Sequence, residues 1–237
     1  SQIMKNSHLK TAFQNRDRNA LYDISLDILS DLKRYSKITH FYFIGLDKKC
    51  FLRVHNKDKF GDFIDRHTLK MASKTKSISS GVELGTFATF TLRVVHPWIV
   101  NGKIIGYVEL GQEIENIPKD LSEVFDIDSI FLIKKSLIKQ KKWEEGQRML
   151  GNSGNWNRFE KFALISKTIA IDSLDVTPQD SIIKSRYGEK VYFQSSFSLT
   201  NVAGDNVGDV ILQRDITPQT DELIKLIVLL VGILVLV

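Results

Sequence analysis

The sequence has little cysteine and little proline, and each shortage excludes a class of protein. Its 237 residues include one cysteine, Cys50, so the chain can form neither an internal disulfide nor a cysteine-based zinc site. Four prolines, 14 glycines and 43% hydrophobic residues make a globular composition, which excludes a disordered or collagen-like chain. The length allows one large domain or two of about 100 residues, each able to bury a core.

The sequence also lacks a large excess of positive or negative charge. Lys and Arg number 33, Asp and Glu number 28, and the formal net charge is +5. No dense basic block is interleaved with stacking aromatic residues, so we expect no nucleic-acid partner. GxSxG, HExxH and DxDG motifs are absent, and the five histidines are not spaced as metal ligands. We therefore expect no catalytic residue, no metal and no cofactor, and a hydrolase remains the weakest alternative.

The first segment has the pattern of a long helix. An apolar stripe at helical spacing runs through Leu21, Ile24, Ile28, Leu32 and Tyr35. Helical character reaches back to about Leu9, so residues 1–38 are expected to form one long N-terminal helix. This helix either packs on a sheet as an ordinary surface helix or also pairs with its twin in a homodimer.

The last segment has the pattern of a second helix that becomes strongly apolar. Thr217 can cap this helix, and Pro218 suits its first position. Residues 226–237 are apolar without a charge, which is shorter than the roughly 18 residues of a complete span. We expect residues 218–237 to be an exit helix and the start of a transmembrane segment, with a buried core or dimer helix as the alternative.

A hairpin pattern occurs twice between these helices. NGKIIGYVELGQEI (101–114) aligns without gaps on AGDNVGDVILQRDI (203–216). Asn-Gly between two apolar runs is the strongest short signal for a hairpin. The repeat predicts two similar α+β modules with antiparallel sheets, residues 39–118 and residues 119–217.

Charged residues fall within or beside the apolar strands of the first module. A charge inside a buried strand is costly unless a partner or a ligand compensates it. Arginine suits a carboxylate, while Asp or Glu can hold an ammonium group. We predict a polar ligand-binding set of Arg53, His55, Asp62, Arg66, Glu83, Arg93, Trp98 and Glu109. Structural ion pairs, and core packing for Trp98, are the alternatives.

The register of the first hairpin decides whether two members of this set can meet. With a strict two-residue turn at Asn101-Gly102, Arg93 and Glu109 point to opposite faces of the sheet. A bulge, for which Pro97 is a suitable site, would bring them to the same face. Both registers are compatible with the sequence.

Several stretches resemble the double Cache sensor domains of bacterial transmembrane receptors. They are FLRVHNKDKFGDFIDRH (51–67), SGVELGTFATFTLRVVHP (80–97) and NGKIIGYVELG (101–111), and KKWEEGQRMLGNSGNW (141–156) is similar to a Trp-containing loop of that family. The resemblance implies an α+β fold in which a long N-terminal helix precedes two PAS-like antiparallel-sheet modules.

The resemblance also implies a function in signal transduction. It predicts the extracytoplasmic, periplasmic sensing region of an inner-membrane receptor whose output is a histidine kinase, a chemoreceptor or a diguanylate cyclase. We expect the membrane-distal module to bind a small carboxylate or zwitterion, and the exit helix to carry the signal to the membrane. The alternative is a membrane-anchored module that recognises a periplasmic binding protein.

Overall fold

The computed structural model describes residues 2–85, 89–114, 117–149, 151, 153–168 and 182–235. The chain divides into two compact units. The first comprises Ser1–Ile114 with Asn201–Asp205, and the second comprises Glu115–Thr200 with Asn206–Val237. Each unit contains one five-stranded antiparallel sheet, which agrees with the predicted α+β class and the two sheets.

The first unit begins with three helices, α1 (Gln2–Lys5), α2 (Ser7–Gln14) and α3 (Arg18–Ser36). Its sheet contains β1 (His40–Ile44), β2 (Cys50–Arg53), β3 (Ser79–Leu84), β4 (Phe90–Val100) and β5 (Lys103–Glu113), in the order β2-β1-β5-β4-β3. Helix α4 (His67–Thr75) lies between β2 and β3 in the chain. The start of the first predicted hairpin strand, at residues 87 and 88, lies outside the described residues.

The N-terminal helical region is interrupted, although the sequence pattern predicts one long helix. Arg16 has a positive φ of 58°, which ends α2 and its C-cap segment because a left-handed residue cannot continue a right-handed helix. Asp17 then caps α3, its carboxylate accepting a hydrogen bond from the Ala20 N–H at 3.0 Å. Helix α3 therefore has its own start, independent of α2.

One face of the first sheet packs against these helices. The hydrophobic cluster there includes Leu9, Phe13, Leu21 and Leu29 of the helices with Phe41, Phe43, Leu52, Trp98 and Val108 of the sheet. The rings of Phe13 and Trp98 are stacked with centroids 5.2 Å apart. Each large apolar side chain buried in this way contributes about 1.5–3 kcal/mol, so this cluster anchors the helices to the sheet.

The opposite face carries a second cluster under α4. It contains Tyr42, Ile44, Cys50, Ile64, Leu69, Ala72, Val95 and Tyr107. Alternate residues of a strand point to opposite faces, so Tyr42 and its neighbours Phe41 and Phe43 are divided between the two clusters. The charged residues described below also lie on this face, which is called the α4 face.

The hairpin of β4 and β5 contains a bulge. Asn101 and Gly102 both have positive φ, 50° and 75°, as a two-residue type I′ turn requires. The pairing shifts between Trp98, opposite Gly106, and Ile99, opposite Ile104. Beyond the shift Val95, rather than Val94, lies opposite Glu109, so the register is the bulged alternative. The bulge lies next to Pro97.

The second unit repeats the topology of the first. Its strands are β6 (Asp128–Lys134), β7 (Phe162–Lys167), β8 (Ile183–Tyr187), β9 (Lys190–Thr200) and β10 (Asn206–Asp215), in the order β7-β6-β10-β9-β8. Helix α5 (Ile117–Phe125) precedes β6, and α6 (Gln140–Met149) precedes β7. Short 3₁₀ helices span Lys135–Leu137 and Trp156–Arg158. Both sheets therefore order their strands as second, first, fifth, fourth and third.

The sequence repeat has a physical basis in the last strand of each sheet. Gly106 lies so close to β1 that a Cβ atom would be 2.7 Å from the Ile44 carbonyl oxygen and 2.6 Å from the Phe13 ring. Gly208 occupies the corresponding place in the second unit, where a Cβ atom would clash with the Leu132 carbonyl oxygen. Both positions require glycine because a neighbouring strand fills the space of a side chain.

The chain continues after β10 into helix α7 (Thr217–Val235). Thr217 receives the Val191 N–H on its hydroxyl at 2.8 Å, which ties the start of α7 to β9. Residues 236 and 237, the end of the predicted transmembrane start, lie outside the described residues. Within the part of the chain that the structure describes, no helix reaches the length and hydropathy that crossing a membrane needs.

Candidate functional site

A cluster of charged side chains lies on the α4 face of the first sheet. Its arginines are Arg53 on β2, Arg66 just before α4 and Arg93 on β4; its acids are Asp62 in the β2–α4 loop, Glu83 on β3 and Glu109 on β5. Four of these, Arg53, Glu83, Arg93 and Glu109, are buried. Because isolated charges are costly inside a protein, the pairing of these groups determines what the site can do.

Glu109 is at the centre of the cluster and its side chain is fully buried. Its Oε1 accepts hydrogen bonds from Arg93 Nη1, at 2.7 Å, and from Arg66 Nη1. Burial is the strongest influence on Arg66 and opposes its charge, but Glu109, Tyr42 and Glu83 together outweigh burial and raise the pKa of that guanidinium. One carboxylate oxygen thus partly compensates the positive charges of two guanidinium groups.

The second carboxylate oxygen of Glu109 is different. Oε2 is buried and has no hydrogen-bond partner among the described residues. A buried, ionised oxygen without a donor is costly, since the group loses its water without replacement. A donor from outside the chain, such as an ammonium group or a hydroxyl, would satisfy it.

Glu83 joins the charged cluster to the start of α4. Its carboxylate accepts the Thr68 N–H at 2.9 Å and the Thr68 hydroxyl at 3.1 Å, so a residue of β3 caps the helix. Acidic groups are favourable at this end of a helix because of the helix dipole. Glu83 also lies 3.7 Å from Arg93 Nε, which places Arg93 between two acids.

Arg53 holds the β2–α4 loop. Both of its terminal nitrogens donate to the Asp62 carboxylate at 2.6 Å, and Nη1 also donates to the Lys59 carbonyl at 2.6 Å. Burial disfavours the charged guanidinium, but the hydrogen bonds with Asp62 keep the pKa of Arg53 above its ordinary value. The same bonds lower the pKa of Asp62. This two-pronged geometry is the strong form of an ion pair.

Two histidines lie beside the cluster in their neutral form. The rings of His40 and His55 are 4.7 Å apart, and burial lowers the pKa of His40 to about 3 and that of His55 to about 4. His55 Nδ1 accepts the Phe41 N–H at 3.2 Å, so its proton is assigned to Nε2. The positive charges of nearby arginines lower the pKa of both histidines further, because they repel a protonated imidazole.

Trp98 is placed differently from the other predicted site residues. Its side chain is fully buried in the cluster beneath the N-terminal helices, and its indole N–H donates to the Met4 carbonyl at 3.2 Å. It therefore packs on the helix side of the sheet, whereas Arg93 and Glu109 lie on the α4 side. The core-packing alternative describes its position.

Tyr42 and Thr68 are members of the site that the sequence pattern did not single out. Tyr42 lies opposite both Glu109 and Arg53 in the sheet. Its ring is 4.8 Å from the Arg66 guanidinium and 5.3 Å from that of Arg53, a cation–π geometry. The alternation of HFYFI, which puts Tyr42 on the face of Arg53, was a signal that could have found it.

Comparisons with known proteins agree with this architecture. Residues 1–220 match the double Cache family described as the double sensory domain of two-component sensor kinases. Among solved structures, the periplasmic domain of Vibrio cholerae LuxQ is 13% identical and has a TM-score of 0.51, covering 90% of this chain and 88% of that chain. A search of curated proteins gives no match.

Two further solved structures match more loosely. A sensory box/GGDEF family protein from Vibrio parahaemolyticus is 18% identical, with a TM-score of 0.46, over 90% of this chain and 84% of that chain. The ligand-binding domain of the Pseudomonas fluorescens chemoreceptor CtaA, in complex with L-serine, is 13% identical, with a TM-score of 0.44, over 90% and 86%. The family match over most of the chain confirms the resemblance found in the sequence. The chain belongs to the double Cache family, the sensory regions of receptors such as two-component sensor kinases.

Proposed function

We propose that this chain is the extracytoplasmic sensing region of a membrane receptor. In this proposal the first unit, residues 39–118 in particular, binds a small carboxylate or zwitterion on the α4 face of its sheet. The observation that carries the proposal is the buried Oε2 of Glu109, which lacks a donor among the described residues. The ligand-binding set is Arg53, His55, Asp62, Arg66, Glu83, Arg93 and Glu109, with Tyr42 added and Trp98 left out.

The charges of the cluster favour a zwitterion. Arg66 and Arg93 balance Glu83 and Glu109, and Arg53 balances Asp62. A ligand with equal positive and negative charge preserves this balance, whereas a simple carboxylate or amine leaves one buried charge uncompensated. The ligand's ammonium group would donate to Glu109 Oε2.

Arg66 is the candidate partner for the ligand's carboxylate. Its side chain is 21% exposed, so it connects the buried acid to the outside. Its Nη2 is 3.4 Å from the Tyr42 hydroxyl, a long contact that a carboxylate can replace with a shorter, charge-assisted bond. The Arg66 guanidinium, with one nitrogen on Glu109 and the other on the ligand, would thus bridge Glu109 and the ligand.

Isothermal titration calorimetry tests this function. In a panel of neutral amino acids, dicarboxylates and monoamines, we expect the neutral amino acids to bind with the highest affinity. Arg66→Lys keeps the charge but loses the planar fork, and should weaken binding by about tenfold or more. Glu123→Gln, in an exposed pair of the second unit, is the matched control and should bind as the parent chain does. Absence of binding from all three classes would contradict the proposal.

We further propose that α7 carries the ligand signal towards the membrane and that the receptor is a homodimer through its N-terminal helices. Exposed apolar side chains on α7, including Leu223, Leu226 and Val228, support contact with an apolar phase. Leu26 is exposed on α3 and supports a contact between copies. Sedimentation of the chain with anionic vesicles, and light scattering of Leu26→Asp against the parent chain, test the two parts separately.

A second candidate function is recognition of a periplasmic binding protein. Three large apolar side chains of the first unit, Leu46, Phe60 and Phe63, are 60%, 52% and 57% exposed. They lie in the β1–β2 turn and the β2–α4 loop, and exposed large apolar side chains are typical of interaction surfaces. In a full receptor, a response that is lost in Phe63→Ser but kept in Arg66→Lys would favour this function.

A further inference from the structure

We infer that Arg18 is a positioning residue that couples the β2–α4 loop of the charged site to helix α3. The inference deepens the proposed function and rests on it, because it names the first element on which the site would act. The loop is defined here as residues 54–66. It is held from two sides, by Arg53 of the sheet and by Arg18 of the helix.

The inner attachment of the loop is the ion pair already described. Arg53 binds the Lys59 carbonyl and the Asp62 carboxylate, and its guanidinium lies near the Tyr42 ring on which Arg66 also packs. Arg66 in turn reaches Glu109. A change at Glu109 is therefore connected to the loop through side chains in direct contact.

The outer attachment is formed by the first residue of α3. Arg18 Nη1 donates to the Lys57 carbonyl at 2.7 Å, and its guanidinium carbon is 3.6 Å from the centroid of the Phe60 ring. Lys57 also reaches back to the helix, with Nζ 4.4 Å from the Tyr22 ring centroid. Hydrogen bond and cation–π contact fix the same short segment to the first turns of α3.

These two attachments lie only a few residues apart in the loop. Lys57 and Phe60 contact the helix, while Lys59 and Asp62 contact Arg53. Lys59 and Phe60, which belong to different attachments, are consecutive residues joined by one planar peptide bond, so a shift of the backbone at one attachment is passed directly to the other. A ligand that shifts the Arg53–Asp62 pair would pull on the start of α3 through Arg18.

Hydrogen exchange in a double-mutant cycle tests the coupling without any ligand. Asp62→Asn weakens the inner attachment and should raise exchange in the loop in every background. In the parent chain it should also raise exchange of the amides of residues 21–26 by about fivefold, the range expected for residues in one interaction network. In the Arg18→Ala background, Asp62→Asn should leave exchange of those helix amides unchanged.

Two controls separate coupling from a general loss of structure. Arg34→Ala removes a cation–π contact at the other end of the same helix, with Tyr35, and should leave the coupling intact. Arg18→Lys keeps a donor and a cation, and should restore part of the response. Equal responses of α3 with and without Arg18, or no response of α3 in the parent chain, would overturn the inference. Because no ligand is used, this result is independent of the binding experiment.

Discussion

Arg93 and Glu109 lie on neighbouring strands, two positions out of register, and their side chains meet on one face of the sheet at 2.7 Å. Arg93 is opposite Gly111, which has no side chain to occupy the space beside it. The diagonal pairing brings the Arg93 guanidinium to the same Glu109 oxygen that Arg66 also binds. Glu109 is thus the shared partner of two guanidinium groups, and its removal is expected to affect both.

Glu109→Gln is expected to lower the free energy of unfolding by about 3 kcal/mol, since it leaves two guanidinium groups without their shared negative partner. Urea denaturation followed by circular dichroism measures this change. The control Glu123→Gln breaks an exposed pair in which the side chains of Lys119 and Glu123 are 77% and 63% exposed, and should change stability by less than about 0.5 kcal/mol. Equal effects of the two variants would contradict the central role of Glu109.

Stability should fall as the pH decreases below about 6.5. In the folded chain burial lowers the pKa of His40 to about 3 and that of His55 to about 4, while in the unfolded chain both return to the ordinary histidine value of 6.5. Below about pH 6.5 the unfolded chain therefore binds more protons than the folded chain. The stability of the folded chain continues to fall until the pH reaches the pKa values of the folded chain.

Urea midpoints at pH 7 and pH 5 measure the histidine contribution. The double variant His40→Gln, His55→Gln should show a smaller decrease between the two pH values than the parent chain. His8→Gln, at an exposed position of α2, should leave the decrease unchanged. A decrease that is identical in all three proteins would assign the pH effect to other groups.

Gly106→Ala should be more destabilising than Gly102→Ala. The added methyl group at 106 meets the Ile44 carbonyl oxygen and the Phe13 ring, so β5 must shift and roughly 2–3 kcal/mol is lost. At 102 nothing lies within 4 Å and only the positive φ of 75° is unfavourable, at a cost of about 1 kcal/mol. Thermal unfolding of the two variants decides the order, and the reverse order would refute the close approach.

Cys50 should react slowly in the folded chain. Its side chain is 1% exposed, and burial raises the pKa of the thiol to about 11, so little thiolate is present at pH 8. Iodoacetamide labelling at pH 8 should therefore be slower than in urea by about a hundredfold or more. Glu109→Gln should accelerate labelling, because it favours opening of the unit that contains Cys50. Fast labelling of the parent chain would show that this strand is accessible.

The local features of the fold were predictable because they depend on short stretches of sequence. Asn101-Gly102 indicates the hairpin, and strand alternation places Arg53 and Tyr42 on one face. The bulge at Trp98 depends on how two strands pair along their length, which no short pattern fixes, so the meeting of Arg93 with Glu109 stayed one of two alternatives. Alternation along β4 puts Trp98, five residues beyond Arg93, on the opposite face of the sheet, so the core-packing alternative for Trp98 was open to the sequence without knowledge of the bulge.

The interruption of the N-terminal helix illustrates another limit. Residues 15–17 are polar, but Phe13 and Leu21 on either side of them are eight residues apart, which is a helical spacing, and both pack in the same cluster. Periodicity alone therefore predicts one helix. The break depends on the backbone of Arg16 and the cap made by Asp17. An aspartate within a helical pattern is a possible N-cap, but only the tertiary packing selects it over helix continuation.

Because α3 has its own beginning at Asp17, its first turn is the end of a separate rod rather than the middle of a longer one. Nineteen residues, Arg18–Ser36, make a rod roughly 28 Å long at 1.5 Å per residue. A sideways force on Arg18 acts at the tip of that rod, where the lever arm about its midpoint is greatest. A small displacement of a loop can there become a tilt of the entire helix.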